Sequence, residues 1–423
     1  MPVSLVFIAI IVVAFGLLAW RDFRFALTLI IALLPTYLIR FELVIPWTVL
    51  ETFILIAFAL WLFRHYGHKL DLRTLNVYRA PIFFLLAIAT FATTWAPEQM
   101  SALGVWKAFF IEPMLMFVML RTTFTDRADW ERALTGLGLT TIAIAAFAIF
   151  QKLTGLGLPI PWGLERRATS VFEYPNALGL FVAPVVSALV VMSFCKMTAP
   201  SNSPMAGGGR LARVIAIVFG IVAIVLSETE AALVAIPIAL VATLLISSVP
   251  NKTKIAALVG SAVIGITLLA AVPVIREKIL LQDYSGGVRR SQWSETIELL
   301  KDEPLQGAGL SGYPVALEPY HDPRLYEIFQ YPHNVILNFW VEMGVFGVIA
   351  FLFIAITVCK LTWARRDDVV VLAAFAALLT MTVHGLVDVP FFKNDLAVLT
   401  AFFLAMTLVP SRHPDVRKDT VKF

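Results

Sequence analysis

The chain has 423 residues, of which 59% are hydrophobic and only 15% charged, against roughly 25% in soluble domains. With a mean hydropathy of +0.85 and apolar runs of roughly 20 residues recurring throughout, this excludes a soluble globular protein and points to an all-α, polytopic membrane protein. The alternation of an outer-membrane barrel is missing, and the formal charge of +4 is no nucleic-acid signal, because the Lys and Arg residues sit in short loops.

Taken in order, the predicted spans are residues 2–20, 25–39, 43–63, 80–95, 105–120, 133–150 and 174–195. The first run lacks a small-residue cleavage site and reads as a helix rather than a removed signal peptide. Residues 214–249 are too long for one span, and the polar run Ser227, Glu228, Thr229, Glu230 divides them into an eighth and a ninth. Spans at 255–275, 332–359, 369–389 and 395–410 complete the set. That makes about 12–13 transmembrane helices by the length rule, depending on the short second one. A single integral domain over residues 1–423 is expected, holding one large polar loop, 276–331, between the tenth and eleventh spans. Residues 198–210, rich in Pro, Ser and Gly, read as a flexible loop. Cys195 and Cys359 lie at predicted helix ends, with neither metal nor disulfide spacing, and read as small apolar side chains.

Orientation follows from the basic residues. The loops after odd-numbered spans hold most of them, among them Arg21, Arg24, Arg64, Lys69, Arg73, Arg79, Arg121, Arg127 and Arg132, and the tail adds Arg412, Arg417, Lys418 and Lys422. Those loops are expected on the cytoplasmic side. The opposite face then gathers the 151–173 loop with Arg166, Arg167 and nearby Asn176, the 227–230 turn with Glu228 and Glu230, the large loop, and the 384–394 segment with His384, Asp388, Lys393 and Asn394. Ionisable residues at helix ends of a bilayer protein are costly and often functional; each patch alone also fits a helix cap or interfacial anchor.

Within the large loop, residues 288–304 read as an amphipathic helix with Trp293, Ile297 and Leu300 on one face. Pro304 ends it, and the glycines of Gly307, Ala308, Gly309 permit a tight turn. That turn lacks the strand, helix and Lys of a phosphate-cradling loop. His333 follows Pro332 and is expected in the first turn of the eleventh helix. An imidazole there can act as a general base near neutral pH, or anchor the helix at the interface. Glu51, Glu112 and Glu342 are predicted inside the membrane, Glu112 directly before Pro113.

These residues carry a resemblance. The run from Arg167 to Gly179, with its Tyr174, Pro175 and Asn176, the spacing Arg289-x-x-x-Trp293 followed by Pro304-Leu-x-Gly-x-Gly309, and the run Pro332-His333-Asn334 through Asn338 and Glu342 to Gly347 together resemble the O-antigen ligase and polymerase family of bacterial envelope proteins. The resemblance covers residues 151–423; the first five spans match in character only. It implies a metal-independent, cofactor-free glycosyltransferase, multi-pass in the bacterial cytoplasmic (inner) membrane with its active face extracytoplasmic. Such enzymes move a glycan from an undecaprenyl-diphosphate carrier to an acceptor hydroxyl on a glycan, lipid or protein. By the same resemblance Arg289 matches the loop arginine and His333 the loop histidine, the catalytic pair, and Arg167 the basic residue before the Pro-Asn motif. Arg166, Asn176, Glu230, Arg290, Trp293, Asn334 and His384 are the supporting candidates for substrate binding. A leaving diphosphate asks for guanidinium groups that stay charged and donate to two oxygens at once.

One departure stands out. The family often carries a T-x-S-R turn between the eighth and ninth helices. Here Glu230 occupies the arginine position, so a diphosphate contact is lost, and Arg166, Arg167 or Arg290 is a candidate to compensate. Glu228 or Glu230 then becomes a candidate to orient His333. A transporter or flippase using Glu51 and Glu112 near the midplane is the alternative, and a nonenzymatic scaffold a further one. Transport predicts a dispensable large loop; glycan transfer predicts the reverse.

Overall fold

The computed structural model describes residues 5–42, 46–67, 76–194, 206–271, 273–324 and 326–410. The expectations for Lys69, Arg73, Cys195, residues 198–205 and the basic tail fall outside the described residues.

The fold is all-α. Its principal helices are α1 (Leu5–Arg21), α2 (Phe23–Ala32), α3 (Val49–His65), α4 (Asn76–Ala92), α5 (Gln99–Thr123), α6 (Arg127–Thr154), α7 (Pro175–Phe194), α8 (Ala206–Leu226) and α9 (Glu230–Ile246). They continue with α10 (Asn251–Ala271), α11 (Tyr284–Asp302), α12 (Val335–Ala364), α13 (Val369–His384) and α14 (Asn394–Met406). Every predicted span finds a helix, and 5 of them are long and apolar enough to cross a membrane on length and composition; shorter apolar helices accompany them.

Local chemistry sets the ends. Thr48 and Glu51 form a reciprocal capping box on α3, Asp22 caps α2 through the Phe25 amide, and Asp368 caps α13 through the Val370 amide; such caps stabilise a helix by about 1 kcal/mol each. The second span is shorter than predicted. It stops at Ala32, and the chain continues as a 3₁₀ turn, Leu34–Leu38, with Pro35 near its start. An unpredicted antiparallel pair, β1 (Arg40–Glu42) with β2 (Pro46–Thr48), then leads into α3. Proline supplies no donor to continue an α ladder.

The core is built on α13 lying along α7, both buried for most of their length, with Ser187 and Thr380 sharing a hydroxyl contact of 2.7 Å between them. Small residues permit close approach elsewhere, as expected where lipid removes the hydrophobic drive between helices. A Cβ at Gly220 would strike Val186, and one at Gly179 would strike Thr229.

The two ends of the bundle differ in chemistry. At one, Arg127 and Arg365 share Asp368 at 2.9 and 2.6 Å, and Arg24 reaches Asp126 and Asp129. Loops following the first, fifth and eleventh predicted spans meet here. The other end brings the 151–173 loop, the 227–230 turn, the large loop and the 384–394 segment together.

The eleventh span, expected to be continuous, is broken. Met343 and Gly344 leave helical geometry inside α12, Gly344 with a φ of 65°. The break receives the large loop: Val345 N–H donates to the Pro304 carbonyl (3.1 Å), and a Cβ at Gly344 would overlap the Leu305 carbonyl. The buried Glu342 beside it, predicted inside the membrane, accepts from the Ser311 amide at 2.7 Å and so fastens the loop. Glu51 pairs with Lys107 at 2.7 Å, where α5 widens into a π-helical turn (Lys107–Ile111). Glu112 lies 3.9 Å from the same Lys107 and accepts from Asn394 at 3.2 Å. Cys359 is a free, exposed thiol.

Candidate active site

The site is built from α11 outward. Asp283 caps this helix through the Gly286 amide at 3.0 Å, so it starts four residues before the predicted 288. Its buried face matches the predicted one only in part, keeping Leu300 and the half-buried Trp293. Gln292, Thr296, Leu299 and Leu300 face inward, while Ile297 is 45% exposed. Polar side chains hold that face because each finds a partner: Thr296 Oγ1 meets the Tyr313 hydroxyl at 2.8 Å, and Gln292 Nε2 donates to the Tyr331 carbonyl at 2.8 Å. A buried polar group is affordable when bonded, which an apolar-spacing rule misses. Trp293 donates its indole N–H to the Pro332 carbonyl at 2.8 Å. Helix α11 is thus a rail to which the segment before α12 is pinned.

That segment delivers His333. The residue is not in the first helical turn, as expected, but just outside it, with a left-handed φ of 47°. Asn334 is the N-cap, its Oδ1 accepting from the Ile336 and Leu337 amides at 3.0 and 3.1 Å. The carboxamide outcompetes a continued helix for those amides. Asn334 Nδ2 also donates to the Leu386 carbonyl at 3.0 Å, and Val335 N–H donates to the Gly385 carbonyl at 2.6 Å. The start of α12 is therefore stitched to the chain that leaves α13.

Asp388 sits on that leaving chain. His333 Nδ1 lies 3.4 Å from Asp388 Oδ1, with side-chain exposures of 20% and 2%: close enough for an ion pair, though not aligned as an N–H hydrogen bond. Asn176 donates to Asp388 Oδ2 at 3.3 Å, and the Val389 N–H to Oδ1 at 2.9 Å. Burial works to raise the carboxyl's pKa, but the neighbouring His333 and His384 and the Val389 N–H outweigh it and hold the group well below the usual carboxylate range. His384 is buried, and among the described residues its Nε2 has no hydrogen-bond partner. Arg289 joins from α11, donating Nε to the Val387 carbonyl at 3.0 Å and Nη1 to Ser285 at 2.9 Å. The guanidinium is thus anchored one residue from Asp388.

Arg167 approaches from the 151–173 loop. It donates to the Ser227 carbonyl at 3.1 Å, lies 3.8 Å from the Glu228 carboxylate and packs over the Trp162 ring at 5.1 Å. A guanidinium therefore stands at the 227–230 turn, although the turn itself carries Glu230. The turn is tied to the start of α7, since Thr229 donates to the Pro175 carbonyl at 3.2 Å next to Asn176. Glu230 itself pairs with Lys278, and not with His333. Arg166 is an exposed, left-handed C-cap residue whose carbonyl accepts from Lys152 at 2.9 Å. Arg290 is exposed on the outside of α11. Of the candidates, then, His333, Arg289, Asn176, Trp293, Asn334 and His384 gather around Asp388 and the segment before α12. Arg167 borders them at the neighbouring turn, and Arg166, Arg290 and Glu230 stand apart.

Asp388 is named from the sequence only as part of the 384–394 segment, with no role assigned to it in the site. Its i, i+4 spacing from His384 was the available signal. Gln292 inside the Arg289-x-x-x-Trp293 run was also passed over. So was the pair Tyr174 and Tyr331, whose hydroxyls meet at 2.9 Å, with Lys393 Nζ 4.6 Å from the Tyr174 ring; nothing in their spacing betrays that contact.

Below the 384–394 segment an apolar groove runs between α4, α5, α12, α13 and α14. Phe391 and Phe392 line it, as does Cys359 on the far side of the break in α12.

Comparison with known families matches residues 215–352 to the family described as O-antigen ligase. The matched stretch includes α11, Arg289, the segment before α12 and His333. Among curated proteins no match was found.

Proposed function

We propose, from the match of residues 215–352 to the family described as O-antigen ligase, that this protein transfers a glycan from an undecaprenyl-diphosphate carrier to an acceptor hydroxyl, on the outer face of the cytoplasmic membrane. The observation that carries the reading is the convergence of Arg289, His333 and Asp388 at the polar end of the bundle, inside and beside the matched segment.

In this reading the acceptor hydroxyl loses its proton to His333 as its oxygen bonds to the anomeric carbon of the donor sugar. The bond from that carbon to the diphosphate oxygen breaks, and the diphosphate leaves on its lipid. Asp388 fixes the imidazole and balances the charge that forms on it. Arg289 and Arg167 receive the negative charge that grows on the leaving group, often the largest catalytic contribution. Arg289 is suited to this because its Nε and Nη1 are spent on anchoring, which aims the rest of the fork. The carrier's isoprenoid chain fits the apolar groove under Phe391 and Phe392. The acceptor is another lipid-linked repeat in a polymerase, and a different glycan, lipid or protein in a ligase.

The test is reconstitution in lipid with an undecaprenyl-diphosphate-linked oligosaccharide and a mixed acceptor set, run with and without EDTA. Carrier diphosphate release that persists in EDTA and falls by orders of magnitude in His333→Ala and Arg289→Ala is the expected result. A ladder of products identifies a polymerase, a single adduct a ligase. Wild-type behaviour of both variants overturns the site assignment. Accessibility of cysteines introduced in the 276–331 loop tests the face. The transport alternative rests on Glu51 and Glu112, but these carboxylates already have Lys107 and Asn394 as partners, which favours a structural role.

A further inference from the structure

The segment leading into α12 carries more aromatic surface than holding His333 requires. Tyr326 and Phe329 stack in parallel, 6.0 Å between ring centres and 5° apart in plane. Phe329 then meets the His333 imidazole edge to face at 5.2 Å, and Tyr331 meets the same imidazole at 4.9 Å. Tyr326 is buried, whereas Phe329, Tyr331 and His333 are all partly open.

The row is held at both ends although the described residues of the segment form no helix or strand of their own. Glu295, from α11, fastens its far end: the Tyr326 hydroxyl donates to that carboxylate, the Asp322 amide donates to it at 3.1 Å, and His321 Nδ1 lies 3.1 Å away. Gln292 and Trp293 hold its near end through the Tyr331 and Pro332 carbonyls. Glu295, Gln292 and Trp293 all belong to α11, the Tyr174 hydroxyl adds a contact to Tyr331, and none of these anchors uses Phe329. A hydrophobic ring left partly in water beside a polar imidazole, with a buried parallel ring behind it, is a pre-formed apolar surface in an otherwise polar site.

Pyranose rings match such a surface. Their axial C–H groups form an apolar, weakly positive face, which is attracted to the negative face of an aromatic ring, while their hydroxyls project to the side, within reach of a neighbouring base. We propose that Phe329, backed by Tyr326, is a saccharide-stacking subsite that holds the acceptor sugar with its hydroxyl toward His333. This rests on the transfer reading above and names the element that selects a cyclic sugar as acceptor.

The experiment varies Phe329 alone in the full-length protein in lipid, with the donor held saturating. Two acceptors are used: lipid A–core, and an octyl glycoside of the donor oligosaccharide, which can accept but cannot donate. Phe329→Ala is expected to raise the acceptor KM roughly tenfold, the scale of one lost aromatic stacking contact with its buried area, with the effect falling on KM rather than kcat. Phe329→Trp is expected to restore the KM, and Phe329→Leu, which keeps apolar bulk but has no π face, is not. Rescue by Leu as good as by Trp overturns the inference, because packing alone then explains the residue. So does a fall in kcat at unchanged KM, which marks a role in holding His333, or an unchanged KM in Phe329→Ala. Should those results appear while His333→Ala is inactive, the transfer reading stands and the subsite fails. Should the wild type transfer to neither acceptor while releasing no carrier diphosphate, both fail together.

Discussion

His333 and Asp388 come from opposite sides of a helical hairpin, yet their Nδ1 and Oδ1 atoms stand 3.4 Å apart. The approach is fixed by uncharged groups, through the Val335 amide to the Gly385 carbonyl and the Asn334 carboxamide to the Leu386 carbonyl, so it does not depend on the side chains being charged. Replacing the carboxylate should therefore leave the architecture in place and remove its electrostatics. Asp388→Asn is expected to lower the transfer rate about 100-fold, within the range for losing a group that supports a general base, with donor binding retained. Steady-state rates and donor affinity measured together check this.

The same carboxyl sets a pH dependence. Its folded pKa is depressed, against about 3.9 for an unperturbed Asp. The stabilisation it contributes is thus present above that unfolded value and is lost as pH falls through the folded one. The melting-temperature gap between wild type and Asp388→Asn should be present at about pH 5 and close at more acid pH, as the unfolded carboxyl begins to protonate. A gap that instead widens below about pH 4 contradicts the assignment.

Arg289 and Arg290 adjoin in sequence but differ in placement. Arg289 is anchored by Val387 and Ser285, and Arg290 is exposed. Arg289→Lys keeps the charge and loses the fork, and is expected to lower carrier diphosphate release about 100-fold, as for the loss of one transition-state donor. Arg290→Ala should lower it only a few-fold, about the effect of removing a solvated charge. Equal effects would mean that the local field, and not the aimed guanidinium, does the work.

Lys107 separates the catalytic reading from transport. It is the shared partner of Glu51 and Glu112, so Lys107→Met leaves buried carboxylates uncompensated and should destabilise the fold by about 3–5 kcal/mol. Adding Glu51→Gln and Glu112→Gln should recover most of that loss, and transfer per folded molecule should stay near wild type. Thermal melts and activity normalised to folded protein test both statements. A recovered but inactive triple variant would restore the case for transport.

The bundle was legible in the sequence because lipid imposes one rule on every span, and the eye needs only length and polarity to apply it. Where a second rule competed, the reading slipped. Pro35 cut the second span short, the Asn334 side chain took amides that His333 was expected to precede within the helix, and Gln292 and Thr296 were buried by partners lying far along the chain. The site was legible as residue types on one face. The anchoring of Arg289 to Val387 and of Asn176 to Asp388 was not, since both depend on how α7, α11 and α13 pack. Glu230 shows the same limit: its position in the turn suggested His333, and its partner is Lys278.

Gly344→Ala tests how tightly the loop grips α12. The residue has a positive φ, and an added Cβ would collide with the Leu305 carbonyl. A loss of about 3 kcal/mol or more is expected from the strain and overlap together, visible as a lowered melting temperature and as faster proteolysis of the loop.

That interlock also constrains biogenesis. The loop is synthesised before α12, and its Pro304 and Leu305 occupy the gap at Gly344 that lets α12 change direction. The native path of α12, and with it the approach of His333 to Asp388, is therefore tied to the folding of the preceding polar segment against Gly344.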